Sequence, residues 1–308
     1  MEAAGHKCLG YVEIDKFARK SYEAIHDTEG EWTWDDVSTI NYRELPGAGA
    51  WCFGFPCQDI SVANENGKGF KGNRSSLYFA VTKRLRQIKE WNPERMPSYL
   101  LIENVKNFLS VNGGWDFLFA QIELDEIGYD CEWQVLNSKD FGVPQNRERV
   151  FIIGHLRGRD TRKIFPLTGE MPNHLKCVGR LDVKGDDIIR RVYDPTGISP
   201  TLTTMQGGNR QPKIIQPVLT PDRVNKRQNG RRMKDDGEPM FTLTTQDRHG
   251  IYDGDRIRKL TPRETWRLQG FPDSAFDKAS QVNSDSQLYK QAGNSVTVNV
   301  IEAIAKRL

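Results

Sequence analysis

Four short apolar runs separated by helical patterns constrain this chain more than any other feature. "KCLGYVEID" (7–15), "AWCFGF" (50–55), "SYLLIEN" (98–104) and "RVFIIG" (149–154) read as buried strands. Between them, residues 76–91 place Leu77, Val81, Leu85 and Ile88 on one helical face, and "GWDFLFAQIELDEIGYD" predicts a helix ending at Gly128. Strands alternating with helices predict an α/β chain built on a doubly wound, mostly parallel sheet.

That pattern stops near residue 157. Beyond it Gly, Pro, Thr, Asn and Arg rise, and "RVNKRQNGRRMK" (223–234) contains no acidic residue. Two Thr-rich phrases, "SPTLTTMQGGNRQPK" and "EPMFTLTTQDRHG", echo each other and suggest equivalent strands of a small β unit. Regular structure returns at "LTPRETWRLQGFPD", where Thr261, Pro262 and Glu264 predict a capping box, and ends in a loop and an apolar helix. The expected organisation is a core at 1–156, an insert at 157–257 and a return at 258–308 that completes the core, all of ordinary domain size.

Composition narrows the function. A formal net charge of +3 over 308 residues is nearly balanced, so contact with nucleic acid has to come from local clusters. No apolar run approaches the roughly 18 residues of a membrane helix, which predicts a soluble, cytoplasmic chain, read here as a monomer. The five cysteines are scattered, without zinc-ligand spacing, so neither a structural metal nor a disulfide framework is expected. The pattern of a zinc nucleobase deaminase is missing too.

The decisive stretch is "WCFGFPCQDIS" (51–61). Cys57 follows a strand, Gly54 and Pro56, at the edge where open α/β sheets hold ligands. By itself it is equally readable as a buried structural thiol. Three phrases favour a nucleophile. "LLIENV" puts Glu103 at the same sheet edge, where an apolar pocket would raise its pKa for proton transfer. "VPQNRERVFIIG" sets Arg147 and Arg149 on one face, suited to a base and a phosphate. "ENGKGFKGNRSSL" is a basic, Gly-rich loop suited to a lid, with Arg74 within it.

In this order, "GFPCQDIS", "ENV", "QNRER", "RETWRLQGFPD" and "YKQAGNSVTVNVI" resemble the motifs of the DNA cytosine-5 methyltransferases. The resemblance spans the chain apart from the insert, which varies within that family. It implies a Rossmann-like core, S-adenosylmethionine as methyl donor and double-stranded DNA as substrate. Cys57 would be the nucleophile, Glu103 the proton donor to the ring, and Arg147 and Arg149 the groups holding the base carbonyl and nearby backbone. Glu13 would take the ribose hydroxyls, Ile14 the adenine face, and Asp36 with Val37 the adenine amine. Leu77, Asn294 and Ser295 would wall the methionine part, with Pro56 as floor. Gln58, Ser61 and Arg74 would meet DNA near the target.

The insert would read the sequence. Arg227, Arg231 and Arg232 would track phosphates, while Gln206, Asn209, Arg210, Gln246 and Arg248 are candidate readers of base edges. A restriction endonuclease sharing the target is a partner that such a role allows and no residue here specifies.

One departure stands out. The family opens with a central strand and glycine-rich loop, and roughly 20 residues of such a strand, loop and helix start have no counterpart ahead of "MEAAGHKCLG", which resembles the end of the helix that follows. The strand's neighbours would be left with unpaired backbone groups, each costing about 1–3 kcal/mol when buried. Three readings follow: Met1 is internal to a longer chain, another polypeptide supplies the strand, or the chain is a catalytically inactive DNA-binding relative. A thiol enzyme acting on free nucleotides or RNA is a further alternative, which leaves the basic insert without a purpose.

Overall fold

The computed structural model describes residues 1–56, 77–169, 177–180, 191–193, 216–219, 221, 231–234, 238–244, 249–252 and 257–308. The chain opens with one 3-10 turn, Glu2–Ala4, then β1 (Gly10–Val12), α1 (Lys16–Ile25) and β2 (Trp32–Trp34). Asp15 caps α1 by accepting hydrogen bonds from the Phe17 and Ala18 amides. β1 and β2 pair in parallel, as a helical crossover requires.

The main sheet has four strands in the order β3-β4-β6-β5: β3 (Ala50–Gly54), β4 (Tyr99–Val105), β5 (Tyr129–Asn137) and β6 (Glu148–Leu156). β3 and β4, joined by α2 (Leu77–Trp91), run parallel, whereas β6 is antiparallel to both β4 and β5. The α/β class stands, but the sheet is mixed rather than mostly parallel. The reason is local: residues 138–147 are too few for a helical crossover, so β5 and β6 form a hairpin.

Both faces of the sheet are covered, which is why β4 and β6 read as continuous apolar runs. Leu100 and Ile102 point to one face and pack with Leu85 and Ile88 of α2 and Leu124 and Ile127 of α3 (Trp115–Ile127). Leu101 and Ile153 point to the other, against Ile164 and Ile304. Gly128 ends α3 in the left-handed region at φ 117°, as its position in the sequence predicts. Of the four apolar residues expected on one face of α2, Leu85 and Ile88 enter the core, while Leu77 is exposed.

The C-terminal return contains α4 (Pro262–Leu268), α5 (Asp273–Val282), α6 (Asp285–Asn294) and α7 (Val298–Ala305). The predicted capping box at Thr261 and Glu264 is present. The tract expected to be a loop before the last helix is partly helical, since α6 runs to Asn294. α7 closes the second face of the main sheet through Val300 and Ile304. α4, α5 and α6 instead build a separate cluster, in which Trp266, Phe276 and Leu288 pack with Met240, Leu243 and Ile251.

Within the expected insert, β7 (Cys177–Arg180) pairs with β8 (Arg191–Tyr193), and β9 (Gln216–Leu219), β10 (His249–Tyr252) and β11 (Ile257–Lys259) form an antiparallel sheet. The first Thr-rich phrase lies outside the described residues. Among its described residues the second makes an isolated bridge at Met240 before β10, so the two are not shown as equivalent strands. No helix among the described residues is long and apolar enough to cross a membrane.

Candidate active site

Glu103 lies within β4, near its carboxyl end. It stands in register beside Gly54, the last residue of β3. A Cβ at Gly54 would come within 3.2 Å of the Glu103 carboxylate, so glycine there leaves the carboxylate its room. The Glu103 Oε1 atom meets the Arg149 Nε at 3.0 Å, and both side chains are largely buried.

Burial dominates this pair. It raises the Glu103 pKa above the usual carboxylate value despite the opposing charges of Arg149 and Arg147. The same burial lowers that of Arg149, against the pull of Glu103. Both shifts disfavour the ionised forms, as expected where desolvation exceeds the gain from pairing. The result is a carboxyl group poised to hold a proton at higher pH than a surface glutamate.

β3 delivers the chain from Gly54 to Phe55 and Pro56, the last described residues before Cys57. Phe55 is buried, with ring centroids 4.9 Å from Tyr78 and 5.4 Å from Phe108. Buried Asn104 donates from Nδ2 to the Phe55 carbonyl at 2.9 Å and accepts from the Val105 amide at 2.8 Å. The residue after the glutamate thus ties down the segment that leads to the cysteine. Its amide was readable only as part of a motif, not as a fastener. Asn104→Ala is expected to lower stability by about 1–3 kcal/mol, because a buried carbonyl loses its donor. Urea unfolding checks this.

Arg147, expected together with Arg149 to hold the base carbonyl and nearby backbone, is engaged within the protein. Its side chain is buried, and Nη1 and Nη2 donate to the carbonyls of Leu243 (2.9 Å), Gly293 (3.1 Å) and Ser295 (2.8 Å). Burial and the like charge of Arg149 lower its pKa to about 10, so it remains a cation at neutral pH. It fastens the start of β6 to the tract before β10 and to the end of α6. Gln145 works beside it: fully buried, it donates to the Leu268 carbonyl at 2.8 Å and accepts from the Leu243 amide at 3.1 Å. Gln269 donates to the Ala292 carbonyl at 2.7 Å and accepts from Thr297 at 3.0 Å. These glutamines lie inside the quoted motifs, yet their role depends on contacts over a hundred residues away in one case.

A cavity of about 1360 Å³ opens between the β1–β2 pair and β3. Glu13, Ile14, Asp36, Val37 and Leu77 all line it, so five of the residues expected at a cofactor come together. Ile14 is 72% exposed, an apolar side chain with little packing of its own. The Ser38 amide donates to Asp36 and holds its pKa below the usual carboxylate value. Pro56, Asn294 and Ser295 do not line the cavity. Pro56 and Asn294 are exposed, and Ser295 follows α6 with its carbonyl bound by Arg147.

Cys57, Gln58, Ser61, Arg74, Gln206, Asn209, Arg210, Arg227, Gln246 and Arg248 lie outside the described residues. Of the basic run, Arg231 pairs with Glu238 and donates to the Met233 carbonyl at 2.8 Å, while the Arg232 carbonyl accepts from the Leu219 amide at 2.7 Å.

The family model of the C-5 cytosine-specific DNA methylases matches residues 1–308. The chain belongs to this family. Among its relatives, the orphan methyltransferase M.SPBetaI of Bacillus phage SPbeta is 34% identical, covering 98% of this chain and 92% of the relative. The type II methyltransferase M.HhaI of Haemophilus parahaemolyticus is 30% identical, over 99% and 88%. The fold is similar to that of the Dnmt2 methyltransferase of S. pombe, with a TM-score of 0.64 at 17% identity, covering 99% of this chain and 94% of that one. A putative DNA modification methyltransferase from an E. coli prophage gives 0.58 at 18% identity, over 99% and 92%.

Proposed function

We propose that the chain transfers a methyl group from S-adenosylmethionine to carbon 5 of a cytosine flipped out of duplex DNA. The observation that carries this reading is the buried Glu103–Arg149 pair, set beside the end of the strand that leads to Pro56 and Cys57. Carbon 5 of cytosine is a weak nucleophile. A Cys57 thiolate adds to carbon 6, forming a carbon–sulfur bond and pushing electrons toward N3 and carbon 5. Glu103, whose burial raises its pKa above the usual carboxylate value, donates a proton to N3 as that charge builds. Arg149 fixes the carboxyl group and offers its remaining donors to the ring carbonyl. Carbon 5 then takes the methyl group as the donor's sulfur–methyl bond breaks and the thioether leaves; carbon 5 loses its proton to a base, the ring expels Cys57 as thiolate, and N3 returns its proton to Glu103. Base flipping is needed because the target atom is otherwise inside the stack.

Glu13, Ile14, Asp36 and Val37 fit the adenosyl part of the methyl donor, with carboxylates for hydroxyls and an amine and unpacked apolar surface for a flat base. When bound, S-adenosylmethionine supplies the activated methyl group. Arg147 we assign to positioning, through the carbonyls it holds. Residues 157–257 are proposed as the DNA-reading domain, with 1–156 and 258–308 as the catalytic core. Arg227 and Arg232 are its phosphate contacts, joined by Arg231 once it leaves Glu238, and Gln206, Asn209, Arg210, Gln246 and Arg248 are its base readers.

Labelled methyl incorporation into mixed-sequence duplex DNA tests the reading, with Cys57→Ser as control. Incorporation by the wild type that is lost in the variant supports it. Equal incorporation by both contradicts the role of Cys57, and none by either contradicts the activity of residues 1–308.

A further inference from the structure

We propose that α3 and the neighbouring Trp133 form the interface of a twofold dimer of this chain, with α3 packed antiparallel against its copy. α3 is apolar on two sides. Phe117, Ala120, Leu124 and Ile127 enter the core, while Trp115, Leu118, Phe119 and Ile122 make a second stripe at the i, i+3, i+4, i+7 spacing of one helix face. Trp115 is 59% exposed, Leu118 42% and Ile122 40%. Trp133 of β5, 47% exposed, lies edge-on to Phe117 of the same helix, with ring centroids 5.4 Å apart. At these exposures the four side chains present about 400 Å² of apolar surface, since an aromatic side chain offers up to roughly 250 Å². That approaches the apolar share, about 60%, of the roughly 800 Å² that each partner gives to a standard interface.

Charge and symmetry select a second copy as the occupant. α3 contributes Asp116, Glu123, Asp125 and Glu126 and no basic residue, which suits neither a phosphate backbone nor an anionic bilayer. Arg86 pairs with Glu123 and Glu126, and Arg157 with Asp125, so these carboxylates are balanced within each copy and two like surfaces can meet. The stripe is also symmetric under reversal, because its steps of three, one and three residues read the same from either end. A twofold axis at its middle sets Trp115 against the partner's Ile122 and Leu118 against the partner's Phe119, as an isologous interface requires. The same axis brings the acidic last turn of α3 to the N-terminal end of its copy, where the helix dipole is positive and Gly114 supplies no side-chain cap. A dimer departs from the monomer expected from the sequence.

The test uses the 308-residue protein alone, so it stands or fails separately from the proposed activity. Sedimentation equilibrium at up to about 100 μM, above the micromolar upper end for interfaces of this size, should show a monomer–dimer equilibrium. Trp115→Ala should raise the dimer Kd by about 30-fold, the effect of losing a central aromatic anchor. Trp91→Ala, at an exposed tryptophan on α2, should leave it unchanged. Oxidative crosslinking with peptide mapping reads the geometry. A mixture of Trp115→Cys and Ile122→Cys proteins should form a disulfide between the two introduced thiols, whereas Trp115→Cys alone should not join to itself. Both substitutions are at exposed positions and the crosslink is a gain of signal, so a poorly folded alanine variant does not spare the proposal. It is overturned by a monomer throughout that range or by a dimer that Trp115→Ala leaves intact. It is also overturned by a Trp115→Cys self-crosslink without the mixed one, which would mark a parallel pair.

Discussion

Glu103→Gln is expected to lower methyl transfer by about 10²–10⁴-fold, the usual worth of a positioned proton donor. The amide keeps the shape of the side chain and an oxygen for Arg149, so the variant should fold and bind DNA. What it loses is the proton. In the wild type, burial holds the pKa of Glu103 above the ordinary value even though Arg149 lies 3.0 Å away. The protonated form therefore persists to higher pH, and the rate should fall as pH rises through that raised value. In the variant this alkaline limb should vanish. Stability has a matching sign: Glu103 favours folding below its unfolded-state pKa, and that contribution is lost as pH rises through the folded-state value. A pH–rate profile of both proteins checks the claim. An alkaline limb that survives in the variant would assign the proton to another group.

Arg147→Met is expected to act on stability first, by about 3 kcal/mol or more. It removes charged donors from the buried carbonyl of Leu243 and the part-buried carbonyls of Gly293 and Ser295, and each deserted acceptor carries a desolvation cost. Arg147→Lys should recover only part, because a single ammonium cannot reproduce the planar fork. Urea midpoints measure this directly. If Arg147 were chiefly a base contact, the methionine variant would keep its midpoint and lose activity alone.

These two residues mark the limits of what the sequence made legible. Glu103 and Arg149 were readable because strand ends and motif order placed them at one sheet edge. Arg147 looked the same in sequence, yet its guanidinium turns to three carbonyls that no local pattern reveals. The direction of β6 was missed because β5 does not read as a strand: Glu132 and Gln134 interrupt it. The structure shows why they are there. Glu132 accepts from the amides of Ile164 (2.6 Å) and Phe165 (3.2 Å), and Gln134 pairs with both backbone groups of Leu167 at 2.8 Å. Polar side chains hold the segment that covers this face of the sheet, so the apolar alternation is broken where it would signal a strand. Capping, by contrast, is local, and the box at Thr261 was visible from spacing alone.

In the proposed reaction Cys57 bonds to the cytosine ring during transfer. The most direct measurement incubates the protein and S-adenosylmethionine with mixed-sequence duplex DNA carrying 5-fluorocytosine. Fluorine at carbon 5 cannot leave as the proton does, so the reaction should stop with enzyme and DNA joined. The expected result is a denaturation-resistant complex whose mass maps the crosslink to Cys57, and none with Cys57→Ser. Methyl transfer to ordinary DNA with no trapped complex, or a crosslink at another residue, would contradict it.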